Sequence, residues 1–188
     1  MRTVPVAVNE DTPLPVAAAR QGRPEAWEVL FRRYQLPLYA YAMELLRNEQ
    51  SSLDVVQETF VRASRHLARL REDSRFGSWL FGIAHQLVCQ HWRREGRSPW
   101  VDDALPLDHP ATDPEPGDAL VRAEDAEALY EAINALPEAQ RSVILLHFLE
   151  DFSVAEIAEV THASPGTVKS RLHYARKALR ERLIPSLR

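Results

Sequence analysis

Residues 153–179 read SVAEIAEVTHASPGTVKSRLHYARKAL, and their spacing decides the fold of the second half of the chain. Ser153-Val154-Ala155-Glu156 is a capping box: the serine oxygen meets the third helical amide while the glutamate reaches back to the serine amide. It predicts a short helix over 154–160. Ser164-Pro165 is a second start signal, a cap followed by proline where no amide hydrogen is needed, and predicts a longer helix to about Leu183. Two capped helices joined by a turn over 161–163 match the helix-turn-helix pattern, whose second helix lies in a DNA major groove. On that helix Val168, Leu172, Ala175 and Leu179 form one apolar stripe, with Lys169, His173, Arg176 and Arg180 along one flank and Ser170 and Lys177 on the far side. Gly166 and Thr167 start the helix, where backbone amides and the helix dipole favour a phosphate. Arg171 lies beside the stripe, so a structural or partner-facing role suits it at least as well as DNA contact, and Tyr174 is placed either to stack or hydrogen-bond or to shield the core edge.

Working outward, two further helices are predicted over about Asp118–Ala135 and Pro137–Leu149. Before them, Ser98 to Gly117 holds Pro99, Pro106, Pro110, Pro114 and Pro116 with five acids, and reads as an interdomain linker. The amino-terminal half carries three apolar-periodic stretches: about Pro24–Arg47, which Pro37 should kink or split, about Ser52–Leu70, and about Arg75–Glu95. Residues 1 to about 22 are Pro-rich and expected to be a mobile tail. The expected fold is all-α: two small helical domains, residues 23–97 and 118–188, joined by an acidic Pro-rich linker over 98–117.

Charge follows the same division. The net charge of −4 would by itself disfavour nucleic acid, but it averages unlike segments. Pro99–Glu131 has ten acids against Arg122 alone, residues 163–188 have seven Lys and Arg against Glu181 alone, and residues 62–97 have eight against three acids. An acidic middle separates two basic surfaces. Apolar runs are too short to span a bilayer and no secretory signal is recognisable, so a cytoplasmic location without membrane insertion is expected. The single cysteine, Cys89, suits a reducing compartment. His85 and Cys89 sit four apart but lack a second ligand pair, so no metal is expected. With no phosphate loop, nucleophile elbow or carboxylate pair in sight, no cofactor and no catalytic activity are expected.

In the second stretch Leu53, Val56, Phe60 and Leu67 are expected to point inward, while Asp54, Glu58, Arg62, Arg65 and Arg69 share the opposite face. In the third, Phe76, Trp79, Leu80, Ile83 and Leu87 form the inward stripe. Phe81, His85, Val88 and Trp92 lie opposite, with Arg93 and Arg94 closing the helix. Exposed rings beside arginines suit unstacked bases, at about 1–3 kcal/mol per stacked base; the alternative is that this second apolar face packs on the first helix.

The wording of these segments brings a resemblance. Leu136-Pro137-Glu138-Ala139-Gln140-Arg141, Ile157-Ala158-Glu159, Gly166-Thr167-Val168-Lys169-Ser170-Arg171-Leu172 and Ala175-Arg176-Lys177-Ala178-Leu179 resemble the carboxy-terminal domain of sigma-70 family transcription factors, in their extracytoplasmic-function subgroup. The resemblance implies that Gly166, Thr167, Lys169, Ser170, His173, Tyr174, Arg176 and Lys177 face the minus-thirty-five element, and that this domain docks on the flap of the polymerase β subunit. Asp54-Val55-Val56-Gln57-Glu58-Thr59-Phe60-Val61-Arg62-Ala63 resembles the family's core-binding helix. It implies contact of Asp54, Gln57, Glu58, Arg62 and Arg65 with the β′ clamp of bacterial core RNA polymerase. Phe76-x-x-Trp79-Leu80-Phe81-x-Ile83-Ala84 resembles the promoter-melting segment, and the turn from Arg71 to Gly77 the loop that captures a flipped base. Arg75, Phe76, Trp79, Phe81, His85, Gln86, Trp92, Arg93 and Arg94 are then the candidates for single-stranded minus-ten DNA. The expected partners are core polymerase and promoter DNA, duplex and single-stranded, with an anti-sigma factor as a further candidate. The sequence departs from the family at Gly82, where arginine is common, at His85-Gln86, which replaces an Arg-Asn pair, at Ser51-Ser52-Leu53, and at Tyr174. A stand-alone helix-turn-helix regulator and a degenerate sigma-like interaction protein are the alternatives.

Overall fold

The computed structural model describes residues 14–97 and 123–183, with side chains described from 128 onward in the second span. Every regular element among the described residues is helical. The first domain holds α1 (Val16–Arg20), α2 (Pro24–Leu46), α3 (Glu49–His66) and α4 (Phe76–Arg94), with short 3₁₀ turns at Leu67–Arg69 and Asp73–Arg75. The second holds α5 (Ala123–Asn134), α6 (Glu138–Phe148), α7 (Val154–Thr161) and α8 (Pro165–Leu183). The linker over 98–117 and most of the tail lie outside the described residues.

Local chemistry explains most of the boundaries. Asn48 caps α3, its side-chain oxygen accepting from the Ser51 amide at 2.8 Å, which starts that helix earlier than the apolar spacing predicts. The capping box of α7 is present, with the Glu156 carboxylate accepting from the Ser153 amide at 3.0 Å. Ser164 Oγ accepts from the Thr167 amide at 3.0 Å and starts α8. Between α7 and α8, His162 turns the chain in the left-handed region at φ 52°.

Two expectations change. Pro37 does not split α2, which runs unbroken from Pro24 to Leu46. A proline removes one ladder bond, and here Leu30, Leu38 and Tyr41 are buried on either side of it, so packing holds the helix through the defect. Residues 16–20, assigned by composition to the tail, form α1 and pack down. Val16 and Ala19 are buried, the Trp27 indole donates to the Ala19 carbonyl at 3.0 Å, and Arg20 reaches Asp73 and the Leu70 carbonyl.

The two domains share one core. Within the first, α4 packs on α2 and α3; its opposite side packs on α7, and α6 also meets α2. Arginines tie the seam: Arg141 donates to the Glu44 carbonyl at 3.3 Å, Arg47 to the Asn134 carbonyl at 3.1 Å, and Arg97 stands 3.6 Å from Glu138. A helix apolar on all sides belongs in the middle of a bundle, and α4 occupies that place.

Candidate nucleic-acid and polymerase surfaces

On α8 the stripe behaves as expected: Val168, Leu172 and Ala175 are buried and Leu179 is half-buried. Lys169, His173 and Lys177 stand in solvent, with Lys177 4.0 Å from Glu181. Ser170, Tyr174 and Arg176 are half-buried, and the Tyr174 ring meets His173 edge-on. Arg176 lies 5.5 Å from the centroid of the exposed Phe148 ring, a cation–π geometry that holds the guanidinium at the helix surface. Desolvation there lowers its pKa. Gly166 is exposed, but the Thr167 amide is already donated to Ser164 Oγ, so that amide serves the cap rather than a phosphate. Arg171 is buried at 2% exposure, the placement that a structural role requires.

On α3 the charged face is partly self-paired. Arg62 and Glu58 form a 2.7 Å ion pair one turn apart, and Asp54 accepts from Gln50 at 3.0 Å. Gln57 and Arg65 are exposed. Val56 and Leu67 are buried as expected, but Leu53 is 47% exposed beside Asp54. The ring of Phe31, itself largely exposed, meets Phe60 at 4.9 Å, so this surface carries apolar as well as charged contacts. The spacing of Leu53 fits an inward position, but no neighbouring side chain covers it.

The aromatic face of α4 departs furthest from expectation. Phe81, His85, Val88 and Trp92, expected to be exposed, are all buried. Phe81 is gripped edge-on between Tyr41 at 5.5 Å and Phe152 at 5.4 Å, one ring from each domain. Phe76 is buried against Tyr34 and Trp79, and Trp79 is half-buried. Arg75 forms an ion pair with Glu159 of α7, and Gln86 Nε2 lies 2.7 Å from His162 Nε2. Of the nine candidates, Arg93 and Arg94 are exposed and meet no partner in the other domain among the described residues, Arg93 donating to the Cys89 carbonyl at 3.3 Å. The wheel correctly found a second apolar stripe; what it could not say is that the second domain covers it.

Under that cover sits a polar chain. His85 Nδ1 lies 2.8 Å from the Tyr41 hydroxyl and His85 Nε2 lies 3.5 Å from Cys89 Sγ, while the Ser142 hydroxyl near Tyr41 donates to the Glu138 carbonyl at 2.8 Å. Burial pushes His85 down to about 4, with His162 and Arg171 lowering it further, and pushes the Cys89 thiol up to about 11. No cluster of three or more His, Cys, Asp or Glu side chains that could hold a metal ion exists among the described residues. A cavity of about 10 Å³, room for one water, adjoins His85, Cys89, Trp92, Ser142, Thr161 and Arg171.

Sequence reasoning missed Arg141. It is buried, bonded to the Leu136 carbonyl at 2.9 Å as well as to Glu44, and its pKa is lowered by desolvation. Its signal was available: a lone arginine ahead of the apolar run Val143 to Leu146 has no solvent face to occupy.

Comparison with known proteins places both domains. The family models for Sigma-70 region 2 and Sigma-70, region 4 match residues 30–98 and 126–179. RNA polymerase sigma-H factor of Pseudomonas aeruginosa is 33% identical over 181 residues, covering 92% of this chain and 94% of that one. The chain belongs to the sigma-70 family. The ECF RNA polymerase sigma-E factor of Salmonella typhimurium, 31% identical over 183 residues with 92% and 94% covered, places it in the extracytoplasmic-function subgroup. A solved structure of the sigma factor RpoE from Bartonella quintana, in complex with the anti-sigma factor NepR, matches with a TM-score of 0.60 and 27% identity over 85% of this chain and 98% of that one. This sigma factor is thus a transcription-initiation protein whose family is not enzymatic. No helix among the described residues is long and apolar enough to cross a membrane.

Proposed function

We propose that this sigma factor directs promoter-specific initiation by touching core RNA polymerase and DNA at three separate surfaces. Residues 23–97 would act as the polymerase-binding and melting domain and 118–188 as the upstream-reading domain, with 98–117 as the acidic tether. Asp54, Gln57, Glu58, Arg62 and Arg65 on α3 would hold the β′ clamp, helped by the exposed Leu53. Arg75, Phe76, Trp79, Phe81, His85, Gln86, Trp92, Arg93 and Arg94 would serve the melted minus-ten strand. Gly166, Thr167, Lys169, Ser170, His173, Tyr174, Arg176 and Lys177 would face the minus-thirty-five duplex, with the second domain also meeting the β flap. The reading rests above all on α8: a capped helix with a buried apolar stripe beneath a solvent-facing flank of Lys169, His173 and Lys177. That is what a groove-reading helix requires. Since the Bartonella quintana relative is held by an anti-sigma factor, a partner of that kind fits this chain too. No cofactor or metal enters the scheme, and the cytoplasm is the compartment where it operates.

The test is run-off transcription with purified bacterial core polymerase on a library of genomic promoters. Transcripts from a defined promoter subset support the reading. Duplex binding without any transcript would instead make the chain a stand-alone regulator. On the same preparation, Asp54→Arg is expected to weaken core binding about tenfold by setting like charges against a complementary surface, read by co-purification with core enzyme. Lys169→Ala is expected to lower duplex affinity similarly on all sequences and to reduce the slope of log affinity against log salt by about 1. A change confined to one sequence would place Lys169 on a base edge instead.

A further inference from the structure

Arg20, in the last turn of α1, donates from Nη2 both to the Leu70 carbonyl at 3.2 Å and to Asp73 Oδ1 at 2.5 Å. That nitrogen carries two hydrogens and supplies one to each acceptor. Leu70 ends the turn after α3 and Asp73 opens the turn before α4, so one guanidinium fixes the span between the two ends of the connection. The helix that carries it has its own footing. Val16 and Ala19 are buried, the Trp27 indole donates to the Ala19 carbonyl at 3.0 Å, and Gly22 turns the chain toward α2 at φ 78°. We infer that α1 is a brace for the 70–75 connection, and that Arg20 is a positioning residue for selection of the melted strand, acting through Asp73 and the Leu70 carbonyl on Arg75 and Phe76.

The inference rests on the proposal that Arg75, Phe76 and the residues after them serve the melted minus-ten strand. On that reading the 70–75 connection delivers the first of those groups, and Arg71, Glu72 and Ser74 are exposed beside them. The start of α4 is firmly seated: Phe76 is buried, and a Cβ on Gly77 would stand 3.1 Å from Tyr34 Oη. Leu70 is buried at the other end. Arg71 and Glu72 belong to no regular element, so no helical ladder holds them, and the freedom left between the two seated ends lies there. A connection free to move must be ordered whenever it binds, and it can adapt to a wrong base as readily as to a right one. Clamping it beforehand sharpens the choice. A segment that composition assigns to a tail thereby sets how strictly the holoenzyme selects its strand.

The test compares the full-length protein with Arg20→Ala, Asp73→Ala and the double variant, free and bound to purified core polymerase. Amide hydrogen exchange over residues 70–76 of the free proteins reads the brace. Selection by each holoenzyme from fork-junction duplexes with a randomised single-stranded overhang reads base preference. In Arg20→Ala, exchange is expected to rise on the order of tenfold, and preference at one or two overhang positions to fall about fivefold, with core affinity and cooperative melting kept. The double variant should lose no more than Arg20→Ala, since the two groups act as one unit. Asp73→Ala removes the pair from the side of the connection without touching α1, and decides alone if Arg20→Ala fails to fold. Unaltered exchange in the folded variants overturns the brace. Losses that add in the double variant overturn it too, as does a uniform drop at every overhang position, which a general loss of stability would give. The underlying reading fails separately: an unaltered holoenzyme with no preference anywhere in the overhang overturns the single-strand role and the inference with it, whereas preference that survives in every variant overturns the inference alone.

Discussion

Lowering the pH from 7 to 5 is expected to remove about 2 kcal/mol of stability through His85 alone. The ring is buried and neutral with its pKa at about 4, whereas an exposed histidine titrates near 6.5. The unfolded or opened chain therefore binds a proton that the closed form refuses. Above pH 6.5 the closed form is undisturbed; as pH falls from there toward 4, stability drops by ~1.4 kcal/mol per unit, reaching a loss of ~3 kcal/mol. The groups around it reinforce the direction: His162 and Arg171 oppose a further positive charge, and the Tyr41 hydroxyl and Cys89 thiol, both raised by burial, offer no anion to receive one. Glu150 works the other way. Burial raises its carboxyl to about 7, so the folded form takes up a proton between there and its ordinary 4.5 and gains stability as the pH falls. The two effects overlap in the unaltered protein, and the comparison that separates them is His85→Asn, whose amide can still meet Tyr41 but does not titrate. Urea midpoints for both proteins at pH 7 and 5 should show the His85→Asn protein losing about 2 kcal/mol less on acidification. Parallel losses would mean that His85 is charged where it lies.

Trp92→Ala is expected to be the most damaging single truncation, at about 3–5 kcal/mol, the range for deleting a fully buried large ring. Trp92 is completely buried beside the cavity at the seam, so its removal enlarges an existing void instead of letting the walls collapse. Trp92→Phe should cost much less. The indole N–H finds no acceptor among the described residues, and a buried unpaired donor is a standing penalty of about 1–3 kcal/mol. Phenylalanine gives up some packing but removes that penalty, so a net change within ~1 kcal/mol is expected. Thermal and urea unfolding of the two variants would check the contrast; equal losses would show that the indole nitrogen is bonded in solution.

These two residues also mark where sequence reading stops. The helices of the second domain were legible because their signals are local: Ser153 with Glu156, Ser164 with Pro165, and a stripe from Val168 to Leu179 that needs only a period to be seen. The basic flank of α8 followed from the same wheel. On α4 the wheel found both apolar stripes, yet periodicity reports how a helix is painted and not what lies against it. The partner of the second stripe is α7, which starts 60 residues after α4 ends and lies beyond a segment with no periodicity, and nothing local points to it. The failures at Leu53 and Pro37 are of the same kind, since one depends on whether a neighbour covers the residue and the other on packing strong enough to carry a helix past a missing bond. Arg171 sat at the edge of its stripe, and its burial turned on the seam as well.

Two of the arginines that bridge the domains, Arg47 and Arg141, end on main-chain carbonyls, those of Asn134 and Glu44. A carbonyl is supplied by any amino acid. Evolutionary drift at 44 and 134 is therefore buffered, because an exchanged side chain leaves the acceptor in place, whereas loss of either guanidinium has no neighbour to compensate it. Among orthologues the donor side of each bridge should prove the more slowly changing one.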